Sequence, residues 1–322
     1  MKPPLEISEE QVAKALTVRR SIQLARHGYL KLAKNQVLEP LRTWFTVPGG
    51  SSFYFMPAYV LGLRTVSIKV VSVNHRNPKR DLPSTVAMIF VFNSRTGEEV
   101  AVVAGNALTA IRTAASSALA TDILARKDAD SLGIIGTGPQ AQAHLSAILA
   151  VRNFSRVMVY SRSKTHRDQF VRKFSQRTKI PIIVASSAGQ VAHESEVLVL
   201  ATGSAVPLFK GSMVQSGSHV NAIGSSLPNI REMDTSLVRR SILVVDSRKQ
   251  ALGTYGDIIT PLREGAIRKS HIRAELGELL LHHTSLRKRG KDITVFKAGG
   301  LGVLDAIFAD YIVSRTQHWR QL

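Results

Sequence analysis

The sequence predicts an α/β protein in two parts, a mostly antiparallel α+β region followed by a parallel sheet with helices on both faces. Three observations predict it. In mid-chain, the apolar run Leu132–Ile135 ends in the turn Gly136-x-Gly138-x-x-Ala141. Downstream of that turn, short β-branched runs alternate with helical segments, the pattern of a parallel sheet. Upstream, from about Arg42 to Val103, runs rich in β-branched and aromatic residues are separated by turn signals rather than by helices. A length of 322 residues suits two domains.

In order from the N-terminus, Ser8 is a good N-cap, with acids in the turn that follows. A second helix is expected from about Val18 to Leu32, with Ile22, Ala25, Tyr29 and Leu32 on its apolar stripe. Strands are expected at Ser52–Met56, Arg64–Val73 and Thr85–Phe92, with turns at Pro48-Gly-Gly, Asn77-Pro and Thr96-Gly. Asn106 to about Ala125 reads as a long helix rich in Ala, Ser and Thr. Six strands then follow at Leu132–Gly136, Arg156–Ser161, Pro181–Ala185, Glu196–Thr202, His219–Gly224 and Ile242–Asp246, and Ile293–Phe296 is a candidate for a further one. A last helix is expected from about Leu304 to Arg320. Six alternating strands around the glycine-rich turn fit a Rossmann dinucleotide-binding domain. The region before it is then an α+β domain that handles the substrate.

Composition excludes several classes. With no Cys there is no disulfide, thiolate nucleophile or Cys-ligated metal. The histidines form no His-x-x-x-His spacing, so no metal is expected. No apolar run approaches the roughly 20 residues of a membrane span. The N-terminal residues lack the apolar core of a secretory signal, so a cytoplasmic location is expected. Lys and Arg total 43 against 23 Asp and Glu, a formal charge of +20. The densest basic runs, Arg287–Lys291 and Arg76–Arg80, are short and hold no interleaved aromatics. Specific nucleic-acid binding is therefore not expected. The charge is expected to form a solvated basic surface, of a kind that attracts anionic substrates and NADP phosphates.

The chemistry of the turn is specific. Gly136 permits the tight bend, Gly138 lets backbone approach a pyrophosphate, and the small Ala141 lets helix pack on strand. Thr137, Pro139 and Gln140 complete the segment, whose helix N–H groups face the phosphates. The second Rossmann strand ends Val159-Tyr-Ser161-Arg162-Ser163-Lys164, with no acid to bind a ribose 2′-hydroxyl. These four residues suit a 2′-phosphate instead. NADP(H) is thus favoured, with NAD(H) as the alternative. Thr113, Ala201, Thr202, Asn221 and Gly224 are further candidates to meet the cofactor.

Three cations stand out upstream. Lys69 interrupts Val66-Ser-Ile-Lys-Val-Val71 and shares a pleat face with Ser67 and Val71. If that face is interior, Lys69 needs an anionic partner. Arg112 shares a helical stripe with Leu108, Ala115 and Leu119, a position for a carboxylate fork. Arg42, before the first strand of the sheet, is the third. Substrate contact, buried structural ion pairs and solvated faces are all open to them on pattern alone.

These segments bring out a resemblance. Met56-Pro-Ala-Tyr59, Lys69 on its strand, Leu82–Val86 and Ala110-Ile-Arg-Thr-Ala-Ala115 agree in order and spacing with one family. So do Gly136–Gln142, His219–Gly224, Val245-Asp-Ser247, Ala274–Glu278 and Val295–Gly300. The chain resembles the ornithine cyclodeaminase/μ-crystallin family over nearly its whole length. The resemblance implies a homodimer whose N-terminal substrate and dimerisation domain is completed by the C-terminal helix. Boundaries at 1–113 with 303–322, and 114–302, follow. It also implies that Arg42, Lys69 and Arg112 hold the substrate carboxylate.

Departures from the family pattern narrow the activity. Cyclodeaminases carry an Asp where Ser226 stands and a Glu where Tyr54 stands, and losing both acids argues against a diamine substrate. Gly224-Ser-Ser-Leu-Pro228 looks instead like the loop of μ-crystallin-type ketimine reductases. Ala298 replaces a usual Ser near the site. The resemblance therefore implies NAD(P)H-dependent reduction of a cyclic ketimine carboxylate, such as Δ1-pyrroline-2-carboxylate or Δ1-piperideine-2-carboxylate, to the cyclic amino acid. Imine reduction needs a proton donor. Lys69 is a candidate, because cationic neighbours lower its pKa, and Ser226 is a candidate to position a water. Thr85 is a candidate to approach substrate. Asp305 has two readings, beside the nicotinamide or capping the last helix. Alanine dehydrogenase, ornithine cyclodeaminase and a non-catalytic NADP-binding protein are the alternatives.

Overall fold

The computed structural model describes residues 3–48, 50–74 and 76–316. The chain divides into two compact units, one running to Arg112 and resuming at Leu301, the other comprising Thr113–Gly300.

The first unit begins with β1 (Leu5–Ile7), α1 (Glu9–Ala15) and α2 (Val18–Ala33), followed by β2 (Val37–Leu38), β3 (Thr43–Thr46), β4 (Ser52–Val60), β5 (Thr65–Val73), β6 (Thr85–Asn93) and β7 (Glu99–Ala104). Ser8 caps α1 in a capping box with Gln11. The sheet order is β1-β7-β6-β5-β4-β2, with β3 also paired to β4. Every pairing is antiparallel except β1 with β7. Glu9 does more than favour its own helix. Its carboxylate accepts the N–H groups of Asn106 and Ala107 at 2.9 and 2.6 Å, so it caps α3 (Gly105–Leu124). That helix carries the chain out of the first unit.

The second unit contains β8 (Ser131–Ile135), α4 (Pro139–Leu149), β9 (Arg156–Tyr160), α5 (Lys164–Ser175), β10 (Ile182–Val184), α6 (Ala188–Glu194), β11 (Val197–Leu200), β12 (His219–Ala222), α7 (Thr235–Arg240), β13 (Ser241–Val245), α8 (Arg248–Thr254), α9 (Gly256–Arg263), β14 (Ile272–Glu275), α10 (Leu276–His282) and β15 (Ile293–Lys297). All eight strands are parallel, in the order β10-β9-β8-β11-β12-β15-β13-β14. This is the doubly wound arrangement expected, with two differences. The candidate strand Ile293–Phe296 is real and lies inside the sheet, inserted between β12 and β13, where its continuous apolar run is buried on both faces. β14 was not expected, because Ile-Arg-Ala-Glu on a sheet edge carries too little β signal.

The chain then returns to the first unit as α11 (Gly302–Val313). The expected continuation over 317–320 lies outside the described residues. α11 is apolar nearly all round and packs on β4, β5 and α2, so it is a core helix. It covers the sheet face that carries Thr65, Ser67 and Lys69, all buried. The opposite face is apolar and only partly buried. Along it Phe55, Val70 and Met88 are register partners, and so are Pro57, Ile68 and Phe90. Among the described residues, no helix is long and apolar enough to cross a membrane.

Candidate active site

The residues singled out fall into two groups, one in each unit. In the first, Arg42, Lys69 and Arg112 are all buried, and Lys69 is only 1% exposed. Arg42 precedes β3, whose first residue pairs with Phe55, and the next residue of β4, Met56, is the register partner of Lys69. Arg112 arrives from α3. The anion that a buried lysine requires is Asp305, in the first turn of α11. Lys69 Nζ donates to Asp305 Oδ1 at 3.1 Å, and Arg112 Nε donates to the same oxygen at 3.0 Å. Asp305 Oδ2 is buried and has no hydrogen-bond partner among the described residues.

This placement corrects the capping alternative for Asp305. The N–H groups of Gly302 and Val303 are taken by the Glu39 carboxylate at 2.7 and 3.3 Å, so Glu39 caps the last helix. Burial lowers the Lys69 pKa to about 7, with Arg112 and Arg42 adding to the effect and Asp305 opposing it. The direction follows the expectation, but burial rather than the neighbouring cations is the largest cause. Tyr54 is buried as well, and its phenol is raised by burial against the pull of Arg42. Thr85 is half-buried at the start of β6, on the pleat face of Ile89, the partner of Lys69.

In the second unit the glycine-rich turn has the form its sequence implies. Gly136 has φ +120°, and a Cβ there would collide with the Ala201 carbonyl. Ala141, in the first turn of α4, is fully buried. Gly138 is different: a Cβ there would meet nothing within 4 Å. No protein atom demands glycine at this point, whereas a phosphate approaching the backbone would. Gly138 is also the N-cap of α4 and supplies no side-chain cap, so the first N–H groups of that helix face outward beside Thr137, Pro139 and Gln140. These features fit a dinucleotide.

Beyond β9, Ser163 accepts from the His166 N–H and caps α5, while Lys164 pairs with Asp168 at 3.0 Å across exposed surface. Arg162 is exposed. Ser161 and its loop are held by Arg167, which donates to the Ser161 carbonyl and lies over the Tyr160 ring. Thr113 is buried. Asn221 is also fully buried, its amide donating to Thr121 at 2.9 Å, while its Oδ1 has no partner among the described residues.

Three residues with no role assigned from the sequence organise the remaining candidates; of these, Asp257 stands at a position of the family pattern. The Glu232 carboxylate is fully buried. It accepts from the Thr202 N–H and hydroxyl at 2.8 and 2.7 Å and from the Gly224 N–H at 2.7 Å, tying together the chain beyond β11 and β12. Burial raises its pKa to about 7, with Asp257 adding and Lys297 opposing. Asp257 accepts the N–H groups of Glu232 and Met233 at 2.9 and 2.8 Å and pairs with the buried Lys297 at 3.0 Å. Lys297 in turn donates to the Ser225 carbonyl at 2.6 Å. Both ends of the loop carrying Ser226, itself half-buried, are thus fixed to a buried charged network. Lys297, a lone charge closing an apolar strand, gave the same signal as Lys69. Glu232 gave none, since Arg-Glu-Met-Asp reads as an exposed turn. Among the described residues, no group of three or more His, Asp and Glu is placed to hold a metal.

Known proteins resemble the chain over nearly its whole length. The chain is 33% identical over 313 residues to a Δ1-pyrroline-2-carboxylate reductase of Bacillus cereus, spanning 97% of this chain and 96% of that protein. It is 32% identical over 292 residues to the ketimine reductase mu-crystallin of Mus musculus, spanning 90% and 89%. The solved structure of the Thermococcus litoralis Δ1-pyrroline-2-carboxylate reductase with NADH and L-proline superposes with a TM-score of 0.93 at 35% identity, over 96% of each chain. The model of the ornithine cyclodeaminase/mu-crystallin family matches residues 7–319, and the chain belongs to that family.

Proposed function

We propose that the protein is an NAD(P)H-dependent reductase of cyclic ketimine carboxylates, acting on Δ1-pyrroline-2-carboxylate or its six-membered homologue to give proline or pipecolate. The observation that carries this reading is the buried cluster of Arg42, Lys69 and Arg112. Lys69 has three N–H donors and spends one on Asp305. Lys69 and Arg112 converge on Asp305 in a buried place that Arg42 also lines, and such a gathering of cations suits a substrate carboxylate. The names of its relatives support the same substrate class.

A bound nicotinamide would supply the hydride that reduces the imine carbon. The chain's residues do the rest. Arg42 and Arg112 orient the carboxylate, which supplies proximity. Lys69 holds a proton on Nζ near neutral pH and delivers it to the imine nitrogen. Ser226, on its fixed loop, positions a water. Gly136 to Ala141 receive the pyrophosphate. Ser161, Arg162, Ser163 and Lys164 receive a 2′-phosphate, which favours NADP(H), and Thr113, Ala201, Thr202 and Gly224 line the same ligand. Asn221 supports the cofactor site from within, through Thr121. The partly exposed apolar face of the first unit's sheet supports a homodimer, because apolar surface of this kind marks association.

A direct assay tests the reading. Purified protein with NADPH and Δ1-pyrroline-2-carboxylate should consume nicotinamide absorbance, faster than with NADH and faster than with pyruvate and ammonia. Turnover of pyruvate and ammonia alone would make it an alanine dehydrogenase. No turnover of any imine would overturn the proposal.

A further inference from the structure

The way Asp305 is used is unusual for a counterion. Both Lys69 and Arg112 are hydrogen-bonded to one oxygen, Oδ1, at 3.1 and 3.0 Å. A carboxylate serving only to balance charge would share its two oxygens between the two donors, as arginine–carboxylate forks do. Oδ2 instead has no donor among the described residues, although the side chain is 1% exposed. A buried anionic oxygen without a donor is costly, and such exceptions are places completed by a water, an ion or a ligand. The missing partner must be an N–H or O–H donor, preferably cationic, lying beside the groups that take a carboxylate. A protonated ring nitrogen one carbon away from a carboxylate has that form.

Resting on the reductase reading above, we infer that Asp305 Oδ2 accepts the N–H of the substrate's protonated imine, and later that of the product amine, and so selects ring nitrogen over ring carbon. Asp305 is then a substrate-binding residue. The clamp reads both halves of the substrate, with cations for the carboxylate and one carboxylate oxygen for the nitrogen. The arrangement also aligns the imine, since a ring held at carboxylate and nitrogen cannot turn about either. Anionic ligands without the nitrogen meet an unsatisfied oxygen instead, the kind of mismatch that rejects analogues strongly.

Two ligands differing at one ring position test this. L-Proline and cyclopentanecarboxylate share ring size and carboxylate, but only proline has the N–H. Binding is measured by calorimetry with NADPH present, on wild type and Asp305→Asn. Wild type should bind proline at least about tenfold more tightly. In Asp305→Asn proline should weaken at least about tenfold, while cyclopentanecarboxylate binds equally or more tightly, because a negative charge has been removed. Opposite responses cannot come from a merely structural lesion. Parallel weakening of both ligands, or equal binding of both by wild type, would overturn the inference. If the variant does not fold, the wild-type ratio still decides. Wild type binding neither ligand, together with no imine turnover, would overturn the reductase reading itself and the inference with it.

Discussion

Lys69 concentrates the residue-scale chemistry. It sits on a central strand under a core helix, so burial disfavours its charge and brings its pKa to about 7. The cationic form is the one that holds a carboxylate and donates a proton. The value of kcat/KM for imine reduction should therefore be level below about pH 7 and fall about tenfold per pH unit above it. The stability sign is opposite. From about 7 to the unfolded value of 10.5 the unfolded state binds more protons, so this group's contribution to stability rises with pH. Loss of activity in that window therefore does not come from this group's effect on stability, and a pH–rate profile alongside melting curves separates the two. Lys69→Met should lower kcat by about 10²- to 10⁴-fold and abolish the alkaline limb. An unchanged limb in that variant would remove Lys69 from the proton step.

Among the elements, the loop from Gly224 to Glu232 depends most on residues far away in sequence. Gly224 has no room for a side chain, because a Cβ would collide with the Thr202 carbonyl and the Glu232 carboxylate. Three donors converge on Glu232. In Glu232→Gln one of them must face an amide NH₂, so either Gly224 or Thr202 loses its acceptor. We expect a raised KM for the cofactor, at least about fivefold, with a lowered Tm, and with L-proline affinity less affected. Steady-state kinetics beside thermal melts check this, and an unchanged KM would show that the loop needs no such anchor. The β-pattern of β4, β5 and β6 was legible because β-branched and aromatic residues dominate it. Which face was interior was not legible: the buried face of β5 carries Thr65, Ser67 and Lys69, while Val66, Ile68 and Val70 lie on the partly exposed one. Alternation alone assigns the apolar side to the core, and only the covering helix α11, more than 200 residues downstream, reverses that. For the same reason the sequence pointed to Lys69 and Arg112 as odd residues but left their shared partner Asp305 undecided.

At the scale of the whole molecule, the two-part architecture was readable from the mid-chain position of the glycine-rich turn and the alternation after it. Insertion of the last strand into the sheet was not, since strand order is set by tertiary packing that no local pattern records. The partly exposed sheet face carries its own prediction. Light scattering should give a dimer for wild type, and Ile68→Glu, placing a charge in the middle of that face, should give a monomer. A wild-type monomer would leave the face without the proposed occupant. In the proposed reaction the cationic cluster presents a C=N bond for reduction. The most direct test is transfer of label. With NADPH deuterated at the reactive C4 position, Δ1-pyrroline-2-carboxylate should yield proline carrying one deuterium at Cα, detected by mass spectrometry. Unlabelled proline, or oxidation of the cofactor without proline, would contradict the account.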